Sequence, residues 1–375
     1  MNIAIVGCGF VADYYLKTLH LHPSLNLVGV MDKELERAQN LGKRYGVTVY
    51  ETLGELLDNS SVEIVLNLTN PRSHYAVSKA CLEANKHVYS EKPLATKISE
   101  AKELVALAES RSLHISSAPC NILSESAQTL WKALREEIIG KVRLVYAEMD
   151  DGLVHKMPYE LWLSESGIPW PYKDEFEVGC TLEHAGYYIT WLTTFFGPAV
   201  SVTAFSSCLI PDKETDIPLI PDTTPDFSVA CIKFESGVVA RLTCGIIAPH
   251  NHEFKVIGDK GILSTHDCWF YGSPVKVQRM MRIRRKSFMS PIKQTVSLVR
   301  KPPKFKSKGA NHMDFSRGVA EMVAAITEKR SSRLAADFSL HNNELVLAIQ
   351  DSLENGCTYK LTTSFKATEP MPWAR

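Results

Sequence analysis

The chain lacks the features that would place it in several large classes. Its nine cysteines include no Cys-x-x-Cys pair and no regular spacing, so neither a zinc ribbon nor a disulfide framework is encoded. Cys231 and Cys244 lie in apolar, strand-like runs, which fits reduced thiols in a cytoplasmic protein. No apolar run is long enough to span a bilayer, and the first residues enter a strand pattern at once, so no leader is expected. There is no solenoid-type repeat and no Gly-x-Ser-x-Gly nucleophile turn. Net charge is absent too: 42 Lys and Arg balance 42 Asp and Glu, against a nucleic-acid partner.

That balance hides a local deficit. No acidic residue occurs between Asp267 and Asp314, while twelve cations do: Lys276, Arg279, Arg282, Arg284, Arg285, Lys286, Lys293, Arg300, Lys301, Lys304, Lys306 and Lys308. The rest of the chain is therefore acidic by twelve. At 375 residues, 45% apolar and 22% charged, the make-up is that of an ordinary globular protein with room for two cores.

What is present starts at the N-terminus. The apolar run 2–6 meets Gly7-Cys8-Gly9-Phe10-Val11-Ala12, and a helical pattern follows through Val11, Tyr14, Tyr15 and Leu19. A G-x-G-x-x-A turn between strand and helix lets backbone N–H groups approach a pyrophosphate at the positive end of the helix. A second strand, 25–31, ends at Asp32, where a carboxylate accepts hydrogen bonds from the adenosine ribose and favours NAD. Lys33 and Arg37 nearby would tolerate a 2′-phosphate, so NADP is the alternative cofactor.

Alternating strand and helix patterns continue to about residue 120. Strand patterns at 47–50, 63–68, 87–90 and 113–116 end at polar residues: Thr69-Asn70-Pro71 with His74 beyond the second, Glu91-Lys92-Pro93 beyond the third. Polar residues there lie on the carboxyl edge of a parallel sheet, where ligands bind. Past an amphipathic helix (Ala127, Leu130, Trp131, Leu134, Ile138), β patterns at 141–149, 200–208, 227–235, 237–247 and 252–258 predict an open, mainly antiparallel sheet. Helices are expected over 312–328 and 340–354. The fold class is α/β: a Rossmann domain, 1–120, then an α+β domain, 121–375, for substrate and oligomerisation, with a basic insertion at about 275–310.

Gly7-Cys8-Gly9 through Ala12, Thr69-Asn70-Pro71 with His74, Glu91-Lys92-Pro93 and the helix 179–197 together resemble the glucose-fructose oxidoreductase / inositol dehydrogenase (Gfo/Idh/MocA) family. The resemblance implies nicotinamide near the Lys-Pro corner, substrate on the sheet of the second domain, and a homodimer or homotetramer. It also implies that Lys92 and a group on the helix share the proton work of oxidising a secondary alcohol or reducing a ketone. The family's helix pattern is Asp-x-Gly-x-His; here it reads Glu183-His184-Ala185-Gly186-Tyr187, with Tyr187 at the histidine position, as in some glucose-fructose oxidoreductases.

Glu183 and Tyr187 are i and i+4, so they share one face of an α-helix. A tyrosine near a cation such as Lys92 can act as an acid. The expected roles are Tyr187 as proton relay, Lys92 as its partner or the acid/base itself, and Glu183 as substrate anchor; a packed aromatic is the plainer reading of Tyr187. His184, about 100° around an α-helix from Glu183, is expected to face elsewhere, with substrate contact or base catalysis as the alternative. Asn121 is expected at the nicotinamide or substrate, and Thr69, Asn70, Pro71 and His74 along the cofactor, although Asn and Thr there also cap helices. His250 and His252 share a strand face without acidic or Cys partners at ligand spacing, so no metal is expected.

The basic segment 276–308 allows three readings: arginines holding the diphosphate of a nucleotide-sugar, contact with an anionic membrane surface, or a solvated loop or subunit contact. The function expected is NAD(H)-dependent hydride transfer to or from a sugar, a nucleotide-sugar in surface polysaccharide or glycoside biosynthesis. Alternatives are an enzyme that retains NAD and oxidises transiently, an inositol or free-sugar dehydrogenase, and a non-catalytic dinucleotide-binding protein.

Overall fold

A computed structural model describes residues 1–304, 312–354 and 356–375. The chain forms two compact units. The first holds 1–120 and also takes in 158–178 and 314–347; the second holds 121–157, 179–313 and 348–375.

In the first unit β1 (Asn2–Val6), α1 (Ala12–Leu19), β2 (Asn26–Met31), α2 (Leu35–Tyr45), β3 (Thr48–Tyr50), α3 (Leu53–Asp58), β4 (Ile64–Asn67), α4 (His74–Glu83), β5 (His87–Ser90), α5 (Ile98–Ser110) and β6 (Ile115–Ser117) alternate as the periodicity predicts. The sheet is parallel, in the order β3-β2-β1-β4-β5-β6, which is the Rossmann arrangement. Its strands read as unbroken apolar runs because both faces are covered: Ile3, Ala4, Ile64, Val65 and Val88 are fully buried. The order reverses between β1 and β4, so the Gly7 turn and Thr69-Asn70-Pro71 lie at the switch point.

The later segments of this unit are tied to α1. Ser316, at the start of helix Ser316–Thr327, donates its N–H to Thr18 Oγ1 (3.1 Å) and its hydroxyl to Tyr15 O (2.7 Å). Gly318 on the same helix is needed for contact: a Cβ there would stand 2.1 Å from the Tyr89 hydroxyl.

The second unit begins at α6 (Glu125–Arg135), capped by Ser124, whose hydroxyl accepts from Ala127 N. Its sheet comprises β7 (Val142–Asp150), β8 (Ala199–Ser207), β9 (Phe227–Phe234), β10 (Val239–Gly245), β11 (Phe254–Gly258), β12 (Gly261–Thr265), β13 (Val275–Ile283), β14 (Lys286–Met289), β15 (Gln294–Val296) and β16 (Thr358–Lys360). The order is β14-β13-β12-β11-β7-β10-β9-β8-β16, with β15 beside β13. Pairing is antiparallel throughout except β7–β10, which is parallel, so the sheet is mixed where hairpins alone would make it antiparallel. The turn at Glu235-Ser236-Gly237 forms as expected, with Gly237 at φ +82°. Helix Gly186–Phe196 packs on the sheet through aromatics: Tyr188 stacks on Phe254 at 5.1 Å, and the buried Trp191 meets Phe254 edge-on at 5.5 Å. No helix among the described residues is long and apolar enough to cross a membrane.

Candidate active site

In the first unit the glycine turn takes the shape its sequence implies. Gly7 sits at φ +98°, and a Cβ on it would lie 2.6 Å from the Leu68 backbone, so only glycine fits. Gly9 is the opposite case: no atom lies within 4 Å of where its Cβ would stand, which leaves an open cradle over the loop. Cys8 N–H donates to Asp32 Oδ2 (2.6 Å) and Glu34 N–H to Asp32 Oδ1 (2.8 Å), so the buried Asp32 ties the turn to the end of β2. Each carboxylate oxygen keeps a second lone pair for a ribose hydroxyl. Phe10 and Val11 are half-buried, and the Ala12 N–H donates to Gly9 O, opening α1. Lys33 is exposed. These features fit a dinucleotide: open space over Gly9, a helix N-terminus, and a carboxylate one strand away.

At the second strand end, Thr69 donates its hydroxyl to Asn67 Oδ1 (2.6 Å), and the exposed Asn70 donates to Asp174 Oδ2 (3.0 Å). Pro71 opens the short turn Pro71–Ser73. His74 is fully buried, its nitrogens 2.7 Å from Pro93 O and 2.8 Å from Thr69 O. Burial holds its pKa below the ordinary value, and the ring clasps two strand ends together.

Glu91-Lys92-Pro93 leaves β5 under tight control. Glu91 N–H donates to Asn67 O, its Oε1 accepts from the Tyr15 hydroxyl (2.7 Å), and its Oε2 accepts from Lys92 N–H (3.0 Å). Both carboxylate oxygens of a buried glutamate thus fix the backbone from which the half-buried Lys92 projects.

In the second unit, Thr181–Ala185 is a π-helical turn running directly into helix Gly186–Phe196, with the Glu183 N–H donating to Gly179 O. A π turn carries more residues than an α turn and is common at functional sites. The α-helical argument for Glu183 and His184 therefore fails, and His184 does not face away from Tyr187. Both rings meet Trp269, at 6.1 Å and 5.5 Å, and Glu183, His184 and Tyr187 are all half-buried on this short stretch. Asn121 is turned to the same helix: its Nδ2 donates to Tyr187 O (3.0 Å) and its Oδ1 accepts from Thr190 Oγ1 (3.1 Å). Its amide supports the backbone at Tyr187, where the sequence suggests ligand contact.

Behind His184 lies a polar cluster that sequence reasoning missed. Asp151 contacts His184 Nδ1 with one carboxylate oxygen and His252 Nε2 with the other (2.6 Å). Burial alone would raise the Asp151 carboxyl, but the two imidazoles overrule it and hold its pKa well below the carboxylate range. Burial likewise opposes charge on His252, yet Asp151 and Asp267 lift its pKa to about 9. Trp269 closes the cluster, 4.7 Å edge-on to His252. The bridge between Asp150 and Asn251 delivers these residues to one place. Asp150-Asp151 at a strand end and Asp267-Cys268-Trp269 after another are the signals that could have found it.

The basic segment resolves into β13, β14 and β15; Lys306 and Lys308 lie outside the described residues. Strands β11 and β12 carry the His252–Asp267 cluster at the end where Phe254 pairs Thr265, whereas β13 runs the other way and ends in a hairpin beyond the Gly258–Gly261 turn. From Val275 to Arg284 is nine residues, about 30 Å of strand. Arg282, Arg284 and Arg285 are therefore far from the cluster within this unit, beside the exposed Met281, Ile283 and Phe288. Arg300 returns to the body of the unit, pairing with the buried Glu125 (2.9 Å) and lying over Trp373.

Comparison with known proteins agrees with this architecture. Residues 1–118 match the family model described as oxidoreductase family, NAD-binding Rossmann fold, and residues 127–264 match the GFO/IDH/MocA C-terminal domain. Trans-1,2-dihydrobenzene-1,2-diol dehydrogenase of Bos taurus is 26% identical over 270 residues, 71% of this chain and 74% of that protein. Among solved structures, UDP-N-acetylglucosamine 3-dehydrogenase from Acidithiobacillus ferrooxidans superposes with a TM-score of 0.70 at 16% identity, covering 95% of this chain and 98% of its own. A 3-ketoreductase from Actinomadura kijaniata, solved as a tyrosine-to-phenylalanine mutant with TDP-benzene and NADP, gives 0.72 at 18% identity, covering 94% and 98%.

Proposed function

Because the chain belongs to the Gfo/Idh/MocA family of NAD-binding oxidoreductases, we propose that it oxidises a secondary alcohol, or reduces the matching ketone, on a nucleotide-linked sugar. The observation that carries the reading is the fixing of Lys92: Tyr15, Glu91 and Asn67 lock its backbone at the carboxyl edge of the cofactor-type sheet. The relatives that act on UDP-N-acetylglucosamine or were solved with a TDP compound support the nucleotide-sugar class.

The cofactor would be held over the open Gly9 of the Gly7–Ala12 turn, by Asp32 at the adenosine ribose, and by Thr69, Asn70 and Pro71, with His74 keeping those strand ends together. When bound, the nicotinamide supplies or accepts the hydride. Following the family resemblance, the proton work is assigned to Lys92, a cationic donor on the first unit, and to Tyr187, a phenol held against Trp269 on the second. Glu183 anchors neighbouring hydroxyls and His184 contacts substrate, its Nδ1 fixed by Asp151. Asn121 holds the helix from which Tyr187 projects. NAD is the proposed carrier and NADP the alternative. The reading includes a cytoplasmic homo-oligomer, checked by light scattering.

The test is nucleotide reduction by purified protein with NAD⁺ or NADP⁺ across a panel of nucleotide-sugars, free sugars and inositols. A signal that needs a nucleotide-sugar and falls at least 100-fold in Lys92→Ala and Tyr187→Phe is expected. Turnover of free inositol or sugar alone, or full activity in both variants, would overturn it.

A further inference from the structure

His252 has two nitrogens with different fates. Nε2 is taken by Asp151 at 2.6 Å, while Nδ1 is buried and makes no hydrogen bond. The side chain is fully buried, so this nitrogen sits in the interior of the second unit without a hydrogen bond and with only an ionic partner. What faces it is Asp267 Oδ1 at 3.7 Å, too far for a hydrogen bond. The Cys268 thiol completes the group: donor atoms of His252, Asp267 and Cys268 all lie within 4.8 Å of one another.

We propose that His252, Asp267 and Cys268 form a site for a zinc-class divalent cation, with Asp151 orienting His252 from behind. Two atoms each about 2.1 Å from a tetrahedral ion stand about 3.4 Å apart, so the 3.7 Å gap between Nδ1 and Oδ1 needs closing by only a few tenths of an ångström. Nitrogen, carboxylate and thiolate form a donor set that suits zinc and not magnesium or calcium. A carboxylate holding the far nitrogen of a ligating histidine is the usual support for such a site, and Asp151 stands there. Charge closes as well. Binding removes the proton from the Cys268 thiol and any proton on His252 Nδ1, both released to solvent, leaving one thiolate and one carboxylate opposite a dication.

Cys268 is fully buried, but the Asp267 side chain is about a third exposed, at 32%, which gives the ion a way in. It also leaves the fourth position open to water or a substrate oxygen, as in catalytic zinc sites. Asp151, His250 and His252 also gather within 4.8 Å, but there the Asp151–His252 pair is already closed by its hydrogen bond. The sequence did not suggest a metal because the partners of His252 sit fifteen and sixteen residues away across a hairpin, outside any ligand spacing.

The test uses the full chain, stripped with chelator and dialysed against zinc chloride, then against cobalt chloride. About one zinc per chain is expected, with a thiolate-to-cobalt charge-transfer band in the near ultraviolet. Cys268→Ser should abolish the band, and Cys268→Ser and His252→Ala should each weaken zinc binding at least 100-fold. Asp151→Asn should weaken it by about 10–100-fold. Circular dichroism checks that each variant is folded, and the wild-type stoichiometry decides the question even if one is not. Well under one zinc per chain, or zinc that binds Cys268→Ser equally well with no thiolate band in the wild type, would overturn the site.

Discussion

Replacing Tyr15 with phenylalanine isolates one bond in the support of Lys92. The hydroxyl donates to Glu91 Oε1 at 2.7 Å, and the ring packs edge-on to Tyr89 (6.2 Å) and Phe315 (5.5 Å), contacts that phenylalanine keeps. Burial, then the Glu91 charge, pushes the phenol well above its ordinary pKa, so it only ever donates here. A hydrogen bond to a buried carboxylate contributes about 1.5–3 kcal/mol, and the site is fully desolvated, so a loss of about 2 kcal/mol is expected for Tyr15→Phe. For a cooperative unit of this size that lowers the melting temperature by about 4–8 °C. Urea unfolding of wild type, Tyr15→Phe, Glu91→Gln and the double variant gives the coupling energy directly. A coupling below about 0.5 kcal/mol would show that this bond does not hold Glu91, and the account of how Lys92 is positioned would fail.

Gly7→Ala forces a Cβ into the Leu68 backbone at positive φ; expression should drop, and any folded protein should lose dinucleotide binding by fluorescence titration. His87 makes the first unit acid-sensitive. Its Nδ1 accepts from His114 N–H, and burial, then His114, lowers its pKa to about 4. A depressed histidine stabilises above its ordinary value of 6.5 and loses that contribution as pH falls toward 4. Melts at pH 7 and pH 4.5 should therefore separate more in wild type than in His87→Asn. Neutralising Arg282, Arg284 and Arg285 should change the KM for a nucleotide-sugar less than twofold, because the hairpin runs away from the His252–Asp267 cluster; a tenfold rise would contradict that placement. Sedimentation of the same variant with anionic vesicles tests the membrane reading of the hairpin.

Much of the first unit is legible because buried parallel strands and amphipathic helices each carry their own period. Gly7, Asp32 and Lys92 are legible because a turn, a strand end and an X-Pro corner are local chemistry. The π turn at Thr181–Ala185 is not: nothing in Thr-Leu-Glu-His-Ala breaks an α pattern, and the extra residue is accommodated by packing on the sheet. The His184–Asp151–His252–Asp267 chain joins segments a hundred residues apart, so no spacing rule reaches it. The hairpin in the basic stretch also escaped notice. Its turn reads Ile283-Arg284-Arg285-Lys286, with Arg284 at φ +54° where glycine or asparagine would be the usual signal.

The first unit takes in residues from three stretches, the last ending at Leu347. During synthesis, the parallel sheet is complete once residue 117 has emerged, but Ser316, which ties down Thr18 and Tyr15, and Asn343, which bonds Ala95, come much later. At about 5–20 residues per second the wait is roughly 10–45 s. A nascent chain thus carries an unfinished cofactor-type domain on the ribosome through most of its translation. A fragment cut at residue 120 would keep that unfinished state, so dissecting this enzyme into halves by sequence is a poor route to a folded dinucleotide-binding piece.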